Sequence, residues 1–254
     1  DEAGMMDTAL ASRLFALAKN AHASVILVGD TAQIQPIGAG AVLARYKKKY
    51  GHFHLKENWR QFNARDQLVG NLVREGNALE ALKDLHDRNE LFVGATRTET
   101  IDLLVRAYVA DGAIHRPKDN VAFTMTRTET RLLNLKLQQA QIEAGLLDPS
   151  NSISFHLEKF HVGDRVMAHE PLRQFGLENG YRGTVVRIDQ KKRSVDVRFD
   201  QKVRLWTGKS PVGNIVSLPL SELPKDSFSL SLAMTTHKGQ GQDAKENAYV
   251  LLGG

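Results

Sequence analysis

The sequence predicts an α/β protein in which a helix-covered parallel sheet is interrupted by a small antiparallel β-barrel. Over residues 1–150, helical stripes of apolar residues alternate with short apolar runs, the pattern of a parallel sheet with crossover helices. Residues 152–224 carry short alternating strands separated by turn residues, which is typical of antiparallel structure. After Pro224 the strand-and-helix pattern returns, so the barrel is predicted to be an insertion.

The first 49 residues are predicted to contain two helices around one strand. Apolar residues at helical spacing over Met6–Ala18 predict a helix, and a second helix is predicted after Gly40. The continuous apolar run Ser24–Val28 is typical of a strand buried on both faces of a parallel sheet. Lys47–Lys49 would then form a solvated helix end, where cations suit the helix dipole, or alternatively a DNA contact.

Residues 50–150 continue the same alternation. Strands are predicted at 52–55, 91–93 and 121–124, and helices at 68–73, 79–85, 101–109 and from 127 to about Gly145. Thr126 and Glu129 have the spacing of a capping box, and Gly145 suits the C-terminal cap of the same helix.

The predicted barrel contains a hairpin formed by residues 185–188 and 195–199, with Lys191–Arg193 at its tip. A solvated turn and a DNA contact explain the three basic tip residues equally well. His52 and His54 share one face of a predicted strand, but no acidic or Cys partner accompanies them, so they do not predict a metal site.

Composition excludes several classes of protein. The 254 residues include no Cys, which excludes disulfides and thiolate metal sites and agrees with a cytoplasmic location. No apolar run is long enough to span a bilayer, so no membrane insertion is expected. The net charge of +5 is weakly in favour of a polyanionic partner. Asp1-Glu2 and Leu251–Gly254 each adjoin a strand-like run, and we expect the chain to be a fragment of a longer protein.

Two acidic turns could carry nucleotide chemistry. An Asp after a strand, as in Asp1-Glu2-Ala3-Gly4, can help hold Mg²⁺, and a neighbouring Glu can activate water as a general base. The segment Gly29–Gly40 follows the next predicted strand, so both turns should lie at the carboxyl edge of one sheet, where such sheets bind ligands. The Gln33 amide can both donate and accept hydrogen bonds there. Without further motifs, Asp1–Gly4 is better explained as an ordinary surface segment, and Gly29–Gly40 could equally be an ordinary surface turn.

Four segments, taken in order, make the sequence resemble superfamily 1 helicases. The segments are Asp1–Gly4, Gly29–Gly40, Leu55–Gln61 with Arg60, and Thr235–Gly241 with its Thr-His-Lys-Gly-Gln-Gly ending. Asn179–Val185 also resembles the inserted Src-homology-like barrel of RecD-type helicases. The overall likeness is to conjugative transfer relaxase–helicases of the TraA/MobA type, with RecD-like exonuclease helicases next.

The resemblance implies a fold of RecA-like motor domains and assigns roles to individual residues. It implies ATP and Mg²⁺ as cofactors, with Asp1 at the metal and with Glu2, Gln33 and Arg60 in catalysis. Arg60 would neutralise charge developing on the transferred phosphoryl group; without the other motifs, a surface arginine is the better interpretation. The implied nucleotide-contacting residues are Asp1, Glu2, Gln33, Arg60 and Gly241.

The implied DNA-contacting residues are Thr235, Thr236, His237, Lys238 and, in the barrel, Arg182. Hydroxyl, imidazole and ammonium donors suit a phosphate backbone, which they position without reading its sequence. A polar loop at a helix start is the alternative explanation of Thr235–Lys238.

By resemblance, residues 1–49 would end the first motor domain. Residues 50–150 and 226–254 would form the second motor domain, with the barrel inserted at 151–225. The expected activity is ATP-dependent, 5′→3′ translocation on single-stranded DNA in conjugation, with a first motor domain and a relaxase domain upstream in the same polypeptide. A RecD-like repair helicase and a DNA-binding module without ATPase activity are the alternatives. The chain contains no Gly-x-x-x-x-Gly-Lys-Ser/Thr loop for phosphates, so alone it is expected to be inactive.

Overall fold

The computed structural model describes residues 2–33, 35–55, 63–203, 213–240 and 244–253. The chain forms two compact units, Asp1–Leu91 and Phe92–Gly254. In the described ranges, no helix is both long and apolar enough to cross a membrane.

The first unit is helical in its described parts. Its α-helices are α1 (Thr8–Asn20), α2 (Val42–Tyr50), α3 (Ala64–Arg74) and α4 (Ala78–Asp87), and a 3₁₀ turn covers Ala3–Met5. Asp7 caps α1 by accepting a hydrogen bond from the Leu10 amide at 2.7 Å. A small core of Met6, Ala11 and Val42 joins the start of the chain to α1 and α2. These four helices confirm the helical pattern that the sequence predicted.

The predicted strand at Ser24–Val28 is wrong. The segment has no regular secondary structure, and Ile26 and Val28 are 84% and 48% exposed. A strand needs a hydrogen-bonded neighbour, and no strand occurs among the described residues of this unit. The strands predicted at 52–55 and 91–93 are wrong as well, because neither segment is paired.

The second unit contains three α-helices and ten strands within its described ranges. They are α5 (Arg97–Ala110), β1 (Val121–Thr124), α6 (Arg127–Glu143), β2 (Ser152–Phe155), β3 (Glu158–His161), β4 (Arg165–Ala168), β5 (Arg182–Asp189), β6 (Ser194–Phe199), β7 (Ile215–Pro219), β8 (Phe228–Leu230), β9 (Ala233–Thr235), α7 (Thr236–Gly239) and β10 (Ala248–Val250).

The α/β part of this unit is a parallel sheet with strand order β10-β1-β9. Apolar side chains of α5 and α6, including Ile101, Leu133 and Leu137, form a buried core with Leu232. Thr126 and Glu129 make the predicted capping box at the start of α6. The parallel sheet and its helices confirm the α/β class.

The C-terminus of α6 is closed by a Schellman motif. Gly145 has a φ of 70°, its amide donates to the Ile142 carbonyl, and the Leu146 amide donates to the Gln141 carbonyl. A left-handed residue is needed at this position, and Gly takes that conformation without steric cost. The predicted cap is confirmed.

The inserted region is antiparallel, as predicted, but its described strands do not close into a barrel. They form an open sheet of order β7-β6-β5-β4-β8 and a separate β2-β3 hairpin. The predicted hairpin is present as β5 and β6, with Val185 opposite Val197 and a bulge between Val185 and Arg187. Closure would need β7 to pair with β8, but β8 has only three residues and its chain passes almost directly into β9.

The connection between the two sheets is held by one buried amide. β8 belongs to the antiparallel sheet and β9 to the parallel sheet, so the chain changes sheets at Ser231-Leu232. Asn134 of α6 donates to the carbonyls of Leu230 and Ala233 at 3.2 and 3.0 Å, and accepts from the Ala233 amide at 2.7 Å. These bonds satisfy backbone groups that neither sheet pairs, and they fix the direction in which β9 leaves the insertion.

Candidate nucleotide loops and nucleic-acid interface

The two acidic turns of the first unit lie side by side. The Ala3 amide donates to the Val28 carbonyl at 2.9 Å. A Cβ atom added at Gly4 would lie 2.8 Å from the Asp30 carbonyl oxygen, and one at Gly29 would lie 2.8 Å from the Gly4 nitrogen. Glycines therefore allow the two backbones to touch. The two turns touch, but the described residues of this unit form no sheet, so the predicted placement of both turns at the carboxyl edge of one sheet is wrong.

The second turn is organised around Asp30. One carboxylate oxygen accepts from the Ala32 amide at 3.0 Å, and the other pairs with Arg74 of α3 at 2.8 Å. The exposed Gln33 follows in the same turn, and its carbonyl and that of Thr31 accept from the Gln35 side chain. The turn thus presents Gln33 at the surface next to the loop that carries Glu2.

Two further glycines seat this segment on the start of α1. A Cβ at Gly38 would lie 2.3 Å from an Asp7 carboxylate oxygen, and one at Gly40 would lie 2.0 Å from the Thr8 hydroxyl. The Thr8 amide donates to the Ala39 carbonyl at 3.0 Å. The Gly-rich ending of Gly29–Gly40 is thereby explained by close packing.

The donor set in these loops is compatible with magnesium but not with a closed metal cage. The described residues contain no cluster of three or more His, Cys, Asp or Glu side chains that could hold a metal ion. Magnesium at phosphoryl-transfer sites uses one or two carboxylates together with phosphates and water, so a single carboxylate from these loops would be enough to help hold it. Asp1, Arg60 and Gly241, which the sequence also assigns to this chemistry, lie outside the described residues.

The predicted DNA-contacting segment lies at the carboxyl edge of the parallel sheet. Thr124 at the end of β1 pairs with Thr235 at the end of β9, so the loops after both strands share one edge. The Thr235 hydroxyl accepts from the Lys238 amide at 3.3 Å and starts the single turn of α7. Thr235, Thr236, His237 and Lys238 are all partly exposed there.

Gly239 places this turn directly on the sheet. A Cβ added at Gly239 would lie 2.1 Å from Cε1 of the Phe123 ring. Only a residue without a side chain allows α7 to approach β1 so closely. The position of the preceding donors is therefore fixed by the contact between Gly239 and Phe123.

Lys238 also holds the antiparallel insertion, a role that sequence reasoning missed. Its ammonium group donates to the Asn179 side-chain oxygen at 2.8 Å and to the His169 carbonyl at 3.1 Å. Burial, aided by the nearby charge of Arg127, lowers the pKa of Lys238. An ammonium group has three N–H donors, so one remains for a further acceptor such as phosphate. The turn signal Asn179-Gly180 was visible in the sequence, but its partner was not.

Arg182 does not line this surface. It is 5% exposed, and Nη2 donates to the Ser231 carbonyl at 3.0 Å. Burial, together with the positive charge of Arg165, lowers its pKa to about 10. Arg165 is also buried and binds both carboxylate oxygens of Asp200, at 3.1 and 2.6 Å. The guanidinium of Arg182 is thus enclosed in the unit and is not available to a strand of DNA.

Comparison with known proteins agrees with these motifs. A family model described as an AAA domain matches residues 1–96. The conjugal transfer protein TraA of Agrobacterium fabrum is 26% identical over 189 residues, which cover 73% of this chain and 17% of that protein. The probable conjugal transfer protein TraA of Sinorhizobium fredii is 26% identical over 199 residues, which cover 76% of this chain and 17% of that protein. The chain thus spans about a sixth of the length of these relatives.

The fold also has a solved counterpart. The crystal structure of Pif1 helicase from Bacteroides in complex with ADP-AlF3 and single-stranded DNA aligns with 100% of this chain and 63% of that chain, with a TM-score of 0.56. At 16% identity the likeness establishes the fold alone. The chain therefore shares its fold with this solved helicase structure. The AAA-domain match and the TraA alignments show, more particularly, that the chain is similar to part of conjugal transfer proteins.

Proposed function

We propose that this chain is part of an ATP-dependent DNA helicase motor that moves on single-stranded DNA during conjugative DNA transfer. The observation that carries the proposal is the row of donors Thr235–Lys238 at the carboxyl edge of the parallel sheet, fixed there by Gly239. Open α/β sheets bind ligands at this edge. The 5′→3′ direction rests on the family resemblance.

In the second unit, the proposed task is to hold the phosphate backbone. The hydroxyls of Thr235 and Thr236, the imidazole of His237 and the ammonium group of Lys238 are hydrogen-bond donors without base specificity. The contact between Lys238 and Asn179 would make the position of the insertion sensitive to whether Lys238 also holds a phosphate.

In the first unit, the proposed task is to support phosphoryl transfer. Bound ATP with Mg²⁺ supplies the phosphoanhydride and neutralises part of its charge. The Glu2 carboxylate would accept the proton of the attacking water, and the Gln33 amide would orient that water. Asp1 would help hold the metal, and Arg60 would stabilise charge on the transferred group. Gly241 would contact the nucleotide.

The proposal can be tested by measuring the affinity of the 254-residue chain for a fluorescent single-stranded oligonucleotide at several salt concentrations. Log affinity should fall linearly with log salt, by ~0.7 per phosphate neutralised on a single strand. Lys238→Ala should weaken binding to every sequence and flatten the slope by about one contact. The physical reason is that each phosphate contact releases counterions.

Two control variants separate phosphate binding from other roles. Lys191→Ala removes an equal charge at the exposed hairpin tip and should leave the slope unchanged. Asn179→Ala removes one of the two intramolecular acceptors of Lys238 but no charge, so it should also retain the parental slope. Binding that does not depend on salt, or a Lys238→Ala slope equal to the parental one, would refute this placement of the strand.

A further inference from the structure

A cavity of about 450 Å³ opens beside the proposed DNA-contacting residues, and Thr235 and Lys238 form part of its wall. It lies entirely within the second unit, between the first turns of α6, the turn that joins β2 to β3, and β8. We propose that this cavity receives one nucleobase of the single strand that lies along Thr235–Lys238. The inference rests on the proposed function and adds a base-binding subsite to it.

The size and the floor of the cavity suit a flat aromatic group. Pockets for small organic ligands enclose on the order of 300–1,000 Å³ and are largely apolar. Here the apolar lining includes the buried side chains of Phe155, Met167, Phe228 and Met234. Every nucleobase has a π-face that can pack on such a surface, and aromatic side chains are the usual partners of single-stranded bases.

His156 supplies an exposed ring at the entrance. It lies in the β2-β3 turn with a φ of 51°, and its ring centroid is 4.4 Å from that of Phe155 in an edge-to-face arrangement. Phe155 is buried while His156 is exposed. The pair therefore continues an aromatic surface from the floor of the cavity to the solvent, where a base leaving the strand would first make contact.

Glu158 gives the cavity a means to choose among bases. One oxygen of its carboxyl group accepts from the Leu230 amide at 2.8 Å, which fixes the side chain in the wall. Burial raises the pKa of Glu158, and the hydrogen bond from the Leu230 amide and then the charge of Arg131 oppose that shift. The second oxygen can accept from an exocyclic amine, the contact by which carboxylates recognise cytosine. Thymine has no such amine, so the cavity should prefer cytosine to thymine.

Cationic side chains line the same cavity. The basic side chains in the lining are those of Arg127, Arg131, Lys225 and Lys238. Besides Glu158, the acidic side chains in the lining are those of Glu170 and Asp226. A positively charged border around an apolar floor matches a nucleotide unit, in which an anionic backbone carries a flat base. It does not match a wholly apolar ligand.

The test compares three oligonucleotides of one length, oligo(dC), oligo(dT) and an abasic strand, each measured for affinity with the 254-residue chain at a single salt concentration. We expect the abasic strand to bind about tenfold more weakly than oligo(dC), because it lacks the stacking surface. Oligo(dC) should bind about fivefold more tightly than oligo(dT), because only cytosine offers the amine.

Two variants identify the residues responsible. Glu158→Gln retains an oxygen for the Leu230 amide and should abolish the preference for oligo(dC) while leaving the salt slope intact. His156→Gly tolerates the positive φ and should weaken binding to both base-carrying strands but not to the abasic strand. Fluorescence of a 2-aminopurine placed in the strand should change on binding to the parental chain and change less with His156→Gly.

The outcomes separate this inference from the proposed function. Salt-dependent binding that is equal for all three strands, and unaffected by Glu158→Gln, would overturn the base-binding subsite and leave the proposed function standing. Absence of salt-dependent binding to any strand would overturn the proposed function, and the subsite with it.

Discussion

At the scale of single residues, His169 links the proposed DNA-binding edge to the insertion and should respond to pH. Its Nε2 lies 2.5 Å from the Ser229 hydroxyl, and its carbonyl accepts from Lys238. Burial, and then the positive charges of Lys238 and Arg127, lower the pKa of His169 from 6.5 to about 4, against the opposing charge of Asp226.

The shift predicts a loss of stability in acid. Between pH 6.5 and about 4 the unfolded chain binds a proton at His169 that the folded chain does not, so the free energy of unfolding falls as pH drops through this window. The resulting loss in the free energy of unfolding is roughly 3 kcal/mol, and the loss is complete once the pH is below the pKa of His169 in the folded chain. His169→Gln should reduce the difference in stability between pH 7 and pH 4, measured by urea unfolding. His115→Gln, at an exposed position, should leave the difference in stability between pH 7 and pH 4 unchanged. If the stability of His169→Gln depends on pH in the same way as that of the parental chain, the assignment to His169 is wrong.

Glu2 and Arg60 are the two residues that the proposed hydrolysis assigns to the transition state. In the full-length protein, Glu2→Gln should lower ATP hydrolysis by roughly 10²-fold or more, because the amide cannot accept the proton of the attacking water. Arg60→Ala should lower it by ~10³-fold, since charge in the transition state is no longer neutralised. Nucleotide affinity, measured by a fluorescent ATP analogue, should change little in both. Parental turnover by either variant would show that its role is misassigned.

At the scale of elements, the packing of α7 on β1 predicts a coupling between stability and DNA affinity. Gly239→Ala forces a methyl group into the Phe123 ring, so the ring or the turn must move. We expect a loss of about 1–3 kcal/mol in the free energy of unfolding, together with weaker binding of single-stranded DNA. Denaturant unfolding and fluorescence anisotropy measure the two effects.

Gly145→Ala is the matched control for Gly239→Ala. Nothing lies within 4 Å of a Cβ at Gly145, but its φ of 70° makes an Ala strained, at a cost of about 1–2 kcal/mol. Because Gly145 closes α6 at the end away from the Thr126 cap, DNA affinity should not change with this variant. If both variants reduce DNA affinity equally, the effect of Gly239→Ala reflects general destabilisation.

The elements also show which parts of the fold a sequence can predict. The helices, the capping box at Thr126 and the hairpin of β5 and β6 depend on neighbours in sequence, and all were predicted. Ser24–Val28 failed because a strand depends on a partner elsewhere in the chain. The strand-and-helix pattern after Pro224 was predicted, but not the division of Phe228–Thr235 between two sheets, at a point fixed by the distant Asn134.

The candidate site likewise contains residues that the sequence could predict and residues that it could not. Order and spacing identified Glu2, Gln33 and Thr235–Lys238, and the structure brings the loops of the first pair together. The prediction for Arg182 rests on the resemblance of its segment to an inserted barrel, whereas its burial against Ser231 follows from three-dimensional packing. The cavity beside Lys238 combines residues from four separate segments, which no local pattern connects.

At the scale of the whole molecule, the two units carry different parts of the proposed reaction. The residues assigned to phosphoryl transfer and described by the structure, Glu2 and Gln33, belong to the first unit. The proposed phosphate and base contacts belong to the second. The chain should therefore be able to bind single-stranded DNA through one unit even where its nucleotide chemistry is incomplete.

That separation leads to a prediction for the 254-residue chain. Hydrolysis requires the β- and γ-phosphates to be held by a glycine-rich loop and its Lys, and the sequence contains no Gly-x-x-x-x-Gly-Lys-Ser/Thr segment. We expect no release of phosphate from ATP with Mg²⁺, in the presence or absence of single-stranded DNA, under conditions in which the same preparation binds DNA. A Glu2→Gln preparation serves as the background. Turnover that DNA stimulates in the parental chain, and that Glu2→Gln abolishes, would show that these residues complete a nucleotide site without the glycine-rich loop.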